Sequence, residues 1–192
     1  MILPKIKINN LNTDSYKSTD ELKNEILAKN KSIASELEND GNSKMDVLFI
    51  DKTNKNAVLK VTPNIREKCM KNQRIYLDLE SHYVSDSFHV QQCYHCQSFG
   101  HKANSDLCQS KNSKPTCFYC SLAHKSKDCR NKDNKSKHKC ANCNKSNNQT
   151  TKEGASKHNA SSRNCPLYQK EIEIIKSKTC YDSKNHQSFV RN

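Results

Sequence analysis

The sequence predicts an α+β chain in two parts. A small βαββαβ sheet domain comes first, and three cysteine–histidine loops, each closed around a metal ion, follow on flexible basic linkers. Three observations predict this. Strand-like and helix-like patterns follow one another in that order over the first ninety residues. Ten of the eleven cysteines lie beyond residue 92. The charge divides at the same place: residues 1–92 carry 14 Lys/Arg and 13 Asp/Glu, whereas residues 93–192 carry 19 and 7, a net of +12. A lysine-rich composition alone would not thin the acids only where cysteines are dense.

The elements of the first part can be read in order. "KIKINNL" (5–11) alternates apolar and polar residues, as a half-buried strand does. "STDELKNEILAKN" (18–30) opens with Ser18 and Glu21 at capping-box spacing, and Leu22, Ile26 and Leu27 share one face, so it predicts a helix. "MDVLFI" (45–50) and "AVLKV" (57–61) flank the turn "DKTNKN" and predict a hairpin. Thr62 is placed to cap a second helix, with Pro63 at its first position, running to about Lys71. "RIYLDL" (74–79) is a further strand, and "HYVSDSFHV" (82–90) is one more strand leading into the first loop. Both helices are expected on one face of the sheet. The predicted division is 1–90 for this domain, 91–166 for the cysteine-rich region, and 167–192 for a short helix, "YQKEIEIIKSK", with a disordered tail.

Composition limits the alternatives. Apolar residues make up 33% of the chain, too few for one large core. "MILPKIKINN" has no apolar stretch long enough for a secretory signal, and no run reaches membrane-spanning length. An intracellular chain with many cysteines favours metal over disulfides. The expected setting is a cytoplasmic or nuclear ribonucleoprotein. No nucleophile elbow, phosphate loop, paired-carboxylate motif or open metal site is present, so no enzymatic activity and no small-molecule substrate is expected.

Nine cysteines and three histidines form three sets. Cys93, Cys96, His101 and Cys108 span 93–108 as C-x2-C-x4-H-x6-C. Cys117, Cys120, His124 and Cys129 span 117–129 as C-x2-C-x3-H-x4-C. Cys140, Cys143, His158 and Cys165 span 140–165 as C-x2-C-x14-H-x6-C. Thiolate and imidazole donors in fours suit tetrahedral Zn2+, and four protein ligands leave no position for a reacting water. Three structural zinc ions are therefore expected. In the third set His138 competes with His158; the repeated H-x6-C spacing favours His158. His95, inside the first C-x2-C, is expected to be an exposed bystander.

The loops also display groups suited to unpaired nucleic acid. Tyr94, Phe99, Phe118 and Tyr119 are placed to stack bases. Lys102, Lys114, Lys125, Lys127 and Arg130 are placed to neutralise phosphates. The same aromatics could instead roof the metal as small local cores. Short polar linkers predict knuckles that behave as beads on a string, which suits single strands or irregular RNA.

The first part resembles an RNA-recognition-motif-like domain, and "IKINNL" has the general shape of that family's first-strand motif. Lys7 stands where a base-stacking aromatic would be, and "NAVLKV" lacks the third-strand aromatics. A role in self-association, or in simply holding the knuckles, is the corresponding expectation. A longer combination, "NAVLKVTPNIREKCMKNQRIYLDLESHYVSDSFHVQQCYHCQSFGH", resembles the segment of arthropod non-LTR retrotransposon Gag-like (first open reading frame) proteins that joins such a domain to the first CCHC knuckle. "CANC" and "HNASSRNCPLYQKE" around the third set are similar to the same family. The departures are the long insertion before His158, two extra residues before Cys108, and Ser121 where a glycine is frequent. The resemblance implies a zinc-dependent protein that coats single-stranded element RNA, with RNA or DNA as partner. A cellular zinc-knuckle RNA-processing or regulatory protein, or a zinc-knuckle protein-interaction module, are the alternatives.

Overall fold

A computed structural model of the chain describes residues 2–145 and 156–182. It contains two compact units: residues 1–88 with 177–192, and residues 89–176. The expected disordered tail, 181–192, lies outside the described residues except for Tyr181 and Asp182.

The first unit runs β1 (Lys5–Asn9), α1 (Thr19–Lys29), α2 (Lys31–Asn39), β2 (Met45–Asp51), β3 (Asn56–Val61), α3 (Pro63–Lys71), β4 (Arg74–Leu77) and β5 (Glu80–Asp86). The strands form one antiparallel sheet in the order β2-β3-β1-β5-β4. Alternation places Ile6 and Ile8 of β1, Leu59 and Val61 of β3, and Val84 of β5 on one face. There they pack with Leu22 and Ile26 of α1, Ile33 of α2, and Ile65 and Cys69 of α3.

The structure departs from the sequence expectation at four places in this unit. The first strand stops at Asn9, because Asn10 takes a left-handed φ of 56° and turns Leu11 into the core. The single predicted helix is followed by a second, α2. Asn30 divides them: its amide donates to the Ile26 and Tyr76 carbonyls, both at 2.8 Å, and accepts the Tyr76 N–H at 3.0 Å. A side chain that completes a strand's hydrogen bonding this way is fixed by β4, not by its own helix. The expected strands at 74–79 and 82–90 are a tight hairpin, β4 and β5, turning at Asp78 with φ 50°. Thr62 occupies the capping position of α3 without capping it; its hydroxyl accepts the Lys44 N–H at 3.2 Å instead. Ser18 caps α1 as its spacing predicts, accepting the Glu21 N–H at 3.1 Å, while Glu21 accepts from Lys17 at 2.7 Å.

On the open face of the sheet Lys7 sits level with Val58 and Ser85. Phe49, Tyr76 and Tyr83 are exposed, on β2, β4 and β5 rather than on β1 or β3. The segment after residue 176 belongs to this unit: Thr179 bridges Ile2 in parallel, and the Cys180 N–H donates to the Ile2 carbonyl at 2.9 Å. Tyr181 lies over the Arg66 guanidinium at 4.6 Å, and Arg66 pairs bidentately with Asp86 at 2.6 and 2.7 Å. Residues 177–182 thus belong to this unit rather than to the separate part expected from 167 onward.

The second unit holds the three cysteine–histidine loops, a short helix α4 (Ala141–Lys145), and the start of α5 (Pro166–Lys178). Leu167 and Tyr168 of α5 pack on Cys140, Cys143 and Cys165.

Candidate metal centres

The three loops are built on one local plan. In the first, the Cys93 N–H donates to the Ser98 carbonyl and the Gln97 N–H to the Cys93 carbonyl, both at 2.8 Å. In the second, Cys117 donates to Leu122 at 2.8 Å and Ser121 to Cys117 at 3.0 Å. In these two loops the residue after the second cysteine turns left-handed, with φ 65° at Gln97 and 59° at Ser121, a conformation that favours glycine. Gly100, at φ 91°, meets the same need just before His101. The third loop keeps the plan around its insertion: Asn144 donates to Cys140 at 3.0 Å, and Cys140 to Ser156 at 2.9 Å. Ser156 thus takes the place of Ser98 and Leu122.

The closing turn is equally regular. Cys108, Cys129 and Cys165 each donate an N–H to the carbonyl of a serine three residues earlier, Ser105, Ser126 and Ser162, at 2.9, 3.3 and 3.0 Å. The same S-x-x-C spacing closes all three loops in the sequence, a signal visible without the structure. It also explains the late Cys108. The two extra residues lie between His101 and Ser105, ahead of an unchanged closing turn, with Asn104 left-handed at φ 64°.

Each set brings four donor atoms within 4.8 Å of one another: Cys93, Cys96, His101 and Cys108; Cys117, Cys120, His124 and Cys129; Cys140, Cys143, His158 and Cys165. Sulfur–sulfur separations are 3.8 Å for Cys93–Cys108 and Cys120–Cys129, 3.9 Å for Cys140–Cys165 and 3.5 Å for Cys143–Cys165. Sulfur to histidine Nε2 is 3.3, 3.6 and 3.7 Å for Cys96–His101, Cys120–His124 and Cys143–His158. A tetrahedron with metal–sulfur and metal–nitrogen lengths of about 2.3 and about 2.05 Å has edges of about 3.8 and about 3.5 Å. The donor sets fit a metal ion of that size, and these sulfur pairs are far beyond the roughly 2.05 Å of a disulfide. All nine sulfurs belong to buried residues.

Packing thiols this closely divides their protons unequally. The Cys140 hydrogen bond holds Cys165 down at about 4, and the same bond, with burial, drives Cys140 up. Burial pushes the Cys96 thiol up, but hydrogen bonds involving Ser98, Cys93 and His101 outweigh it and bring it to about 6. Burial raises Cys120 to about 11. Three thiolates cannot share so small a space without a cation, so metal binding displaces protons and weakens in acid.

His138 is not part of the third set. It is buried, and its Nε2 lies 3.1 Å from both the Asn131 and Lys132 carbonyls, with its ring 5.3 Å from Tyr119. His95 is half-buried rather than exposed, because its Nε2 meets the Ser113 carbonyl at 3.0 Å.

The linkers are not flexible spacers, which corrects the beads-on-a-string expectation. Gln97, 2% exposed, donates from its amide to the Tyr94 and Thr116 carbonyls at 3.0 and 3.1 Å, while its own carbonyl accepts from Asn142 at 2.9 Å. Thr116 donates to His95 at 2.8 Å, Lys139 to Tyr119 at 2.7 Å and Ala160 to Phe118 at 3.1 Å. Lys145 donates to the Cys96 carbonyl at 3.1 Å and Gln92 to that of Ala160 at 3.0 Å. The third loop is bonded directly to the first and to the second, and the first meets the second through Thr116, the residue before Cys117.

The predicted nucleic-acid residues separate accordingly. Tyr94 is 80% exposed. Lys102, Lys114, Lys125, Lys127 and Arg130 are exposed. Phe99 is half-buried and edge-on to Tyr168 at 5.9 Å. Phe118 and Tyr119 are half-buried and edge-on to each other at 5.0 Å. Among the described residues no helix is long and apolar enough to cross a membrane. No protein-family model, curated protein or solved structure matches the chain.

Proposed function

We propose that the second unit is a zinc-dependent binder of single-stranded nucleic acid, RNA in the first place. The observation that carries this reading is the union of three Cys3His donor sets with strong positive charge: residues 93–192 carry a net of +12. Soft thiolates with one imidazole favour zinc among the common divalent ions. Four protein donors per set make the role structural, with zinc supplying folding energy of about 10–16 kcal/mol per site. The chain's own residues do the binding. Lys102, Lys114, Lys125, Lys127 and Arg130 neutralise phosphates and release counterions, and Tyr94 offers its ring to a base.

The resemblance to Gag-like retrotransposon proteins supports a more specific reading: a nucleocapsid-like coat on element RNA. A coat binds any single strand broadly, whereas a cellular regulator selects a short motif, and affinities across random-sequence oligonucleotides separate the two. Self-association through the first unit has its own supporting observation, since Leu48 and Phe49 stand exposed on the edge strand β2.

The test is native mass spectrometry of the full chain with and without chelator, alongside RNA binding by fluorescence anisotropy. Three zinc ions are expected. Their removal should unfold residues 89–176, leave the sheet of the first unit folded, and weaken RNA binding at least tenfold. Undiminished affinity after chelation would overturn the proposal.

A further inference from the structure

The second unit contains a cleft of about 390 Å3 between the first and second loops. Its walls come from three separate stretches: Tyr94 in the first C-x2-C turn, Pro115 in the linker, and Phe118, Tyr119, Lys125 and Lys127 in the second loop. No carboxylate is among its lining residues. We infer that this cleft seats one nucleotide of a single strand, its base against Tyr94 and Phe118 and its phosphate on Lys125 and Lys127. The inference rests on the nucleic-acid reading above and gives it a place: one composite subsite made by two loops, instead of one aromatic acting alone in each.

Four observations carry it. The volume lies within the range of small-ligand pockets, roughly 300–1,000 Å3. The only charged lining groups are two exposed ammoniums, complementary to a phosphate. Tyr119 is held between Phe118, at 5.0 Å, and His138, at 5.3 Å, so it positions the Phe118 ring rather than taking a base itself. Phe99, engaged with Tyr168, lies outside the cleft.

Two of the polar side chains of the lining are already engaged. The Gln97 amide donates to the Tyr94 and Thr116 carbonyls, and the Ser126 hydroxyl accepts the Phe118 N–H at 2.8 Å. The cleft therefore presents ring faces and positive charge but few free partners for a base edge. Binding there is expected to tolerate all four bases, since every base has a face to stack.

The experiment uses the zinc-loaded full chain and fluorescein-labelled A-rich and U-rich single strands, with anisotropy read at several salt concentrations. Tyr94→Ala should weaken both strands by about 5- to 150-fold, the range for losing one stacked base. Tyr94→Phe should bind as the parent does. Lys125→Gln with Lys127→Gln should flatten the salt dependence by about 0.7 in log–log slope, the value for the one phosphate they share on a single strand. Native mass spectrometry of each variant checks that three zinc ions are retained. Parent-like affinity in Tyr94→Ala, from a protein that binds tightly, would overturn the cleft and leave the nucleic-acid reading standing. A strong base preference lost with Tyr94 would also overturn it. A zinc-loaded parent that binds neither strand would overturn the reading on which it rests.

Discussion

Gln97 supplies the side-chain bonds that hold the first loop to the entrance of the second, and truncating it should loosen the two loops from one another. Its side chain is 2% exposed and donates to Tyr94 in its own loop and to Thr116 at the entrance of the next. Gln97→Ala deletes both donated bonds, and the 3.4 Å bond that its Oε1 accepts from Gln92, and leaves two carbonyls facing a gap. At about 1–1.5 kcal/mol for each lost bond, and more where water cannot enter, the cost is about 2–4 kcal/mol. For a unit of this size that lowers the melting midpoint by about 10 °C or more at constant free zinc. Gln97→Glu should cost more, because it aims a carboxylate at two carbonyls. Neither variant touches a ligand, so native mass spectrometry should still count three ions. Backbone 15N relaxation is the deciding assay: the first two loops, tumbling as one body in the parent, should show distinct correlation times in the variant. An unchanged midpoint and a single correlation time would refute the account of Gln97 as the brace.

Three further outcomes follow from other sites. His158→Ala should reduce the bound ions from three to two by native mass spectrometry, whereas His138→Ala should keep three and lower thermal stability, since His138 holds the 131–139 linker against Tyr119; the opposite pattern would mean that His138 closes the third set. Asn30→Ala should destabilise the first unit by about 2–4 kcal/mol in urea unfolding with an unchanged slope, since three hydrogen bonds converge on that one buried side chain. Burial pushes the Cys69 thiol from 9.0 up to about 12. The stability held by keeping it neutral is present below about pH 9 and is lost as pH rises through 12, with a loss of about 2 kcal/mol by pH 10.5. Urea unfolding followed through the Ile8 methyl resonance should show that alkaline loss, and Cys69→Ala should remove the thiol's part of it.

Much of this was legible from the chain because the relevant physics is local. A C-x2-C turn presents two sulfurs within five residues, and a histidine and cysteine close behind complete a donor set with little freedom left. The twofold alternation of "KIKIN" and "NAVLKV" and the Thr-Pro opening of α3 are likewise short-range patterns, and each marks a real element, although β1 ends at Asn9 and Thr62 leaves α3 uncapped. The S-x-x-C closing turn was local too, and could have been found by aligning the three loops on their last cysteines.

What the sequence by itself determined, then, is the donor sets, the charge on the half that carries them, and the strand and helix types. Tertiary structure decided which groups those elements leave free. Asn30 breaks a helix because of Tyr76, 46 residues away. His138 lies two residues before Cys140 yet faces the linker behind it. Phe99 and Tyr94 look alike in sequence, but one packs on Tyr168 and the other stands exposed. The physical reason is the same each time. Coordination and periodicity constrain residues within a few positions of one another, whereas a buried amide or ring satisfies whatever group the folded chain brings to it, and only the closed chain specifies that group.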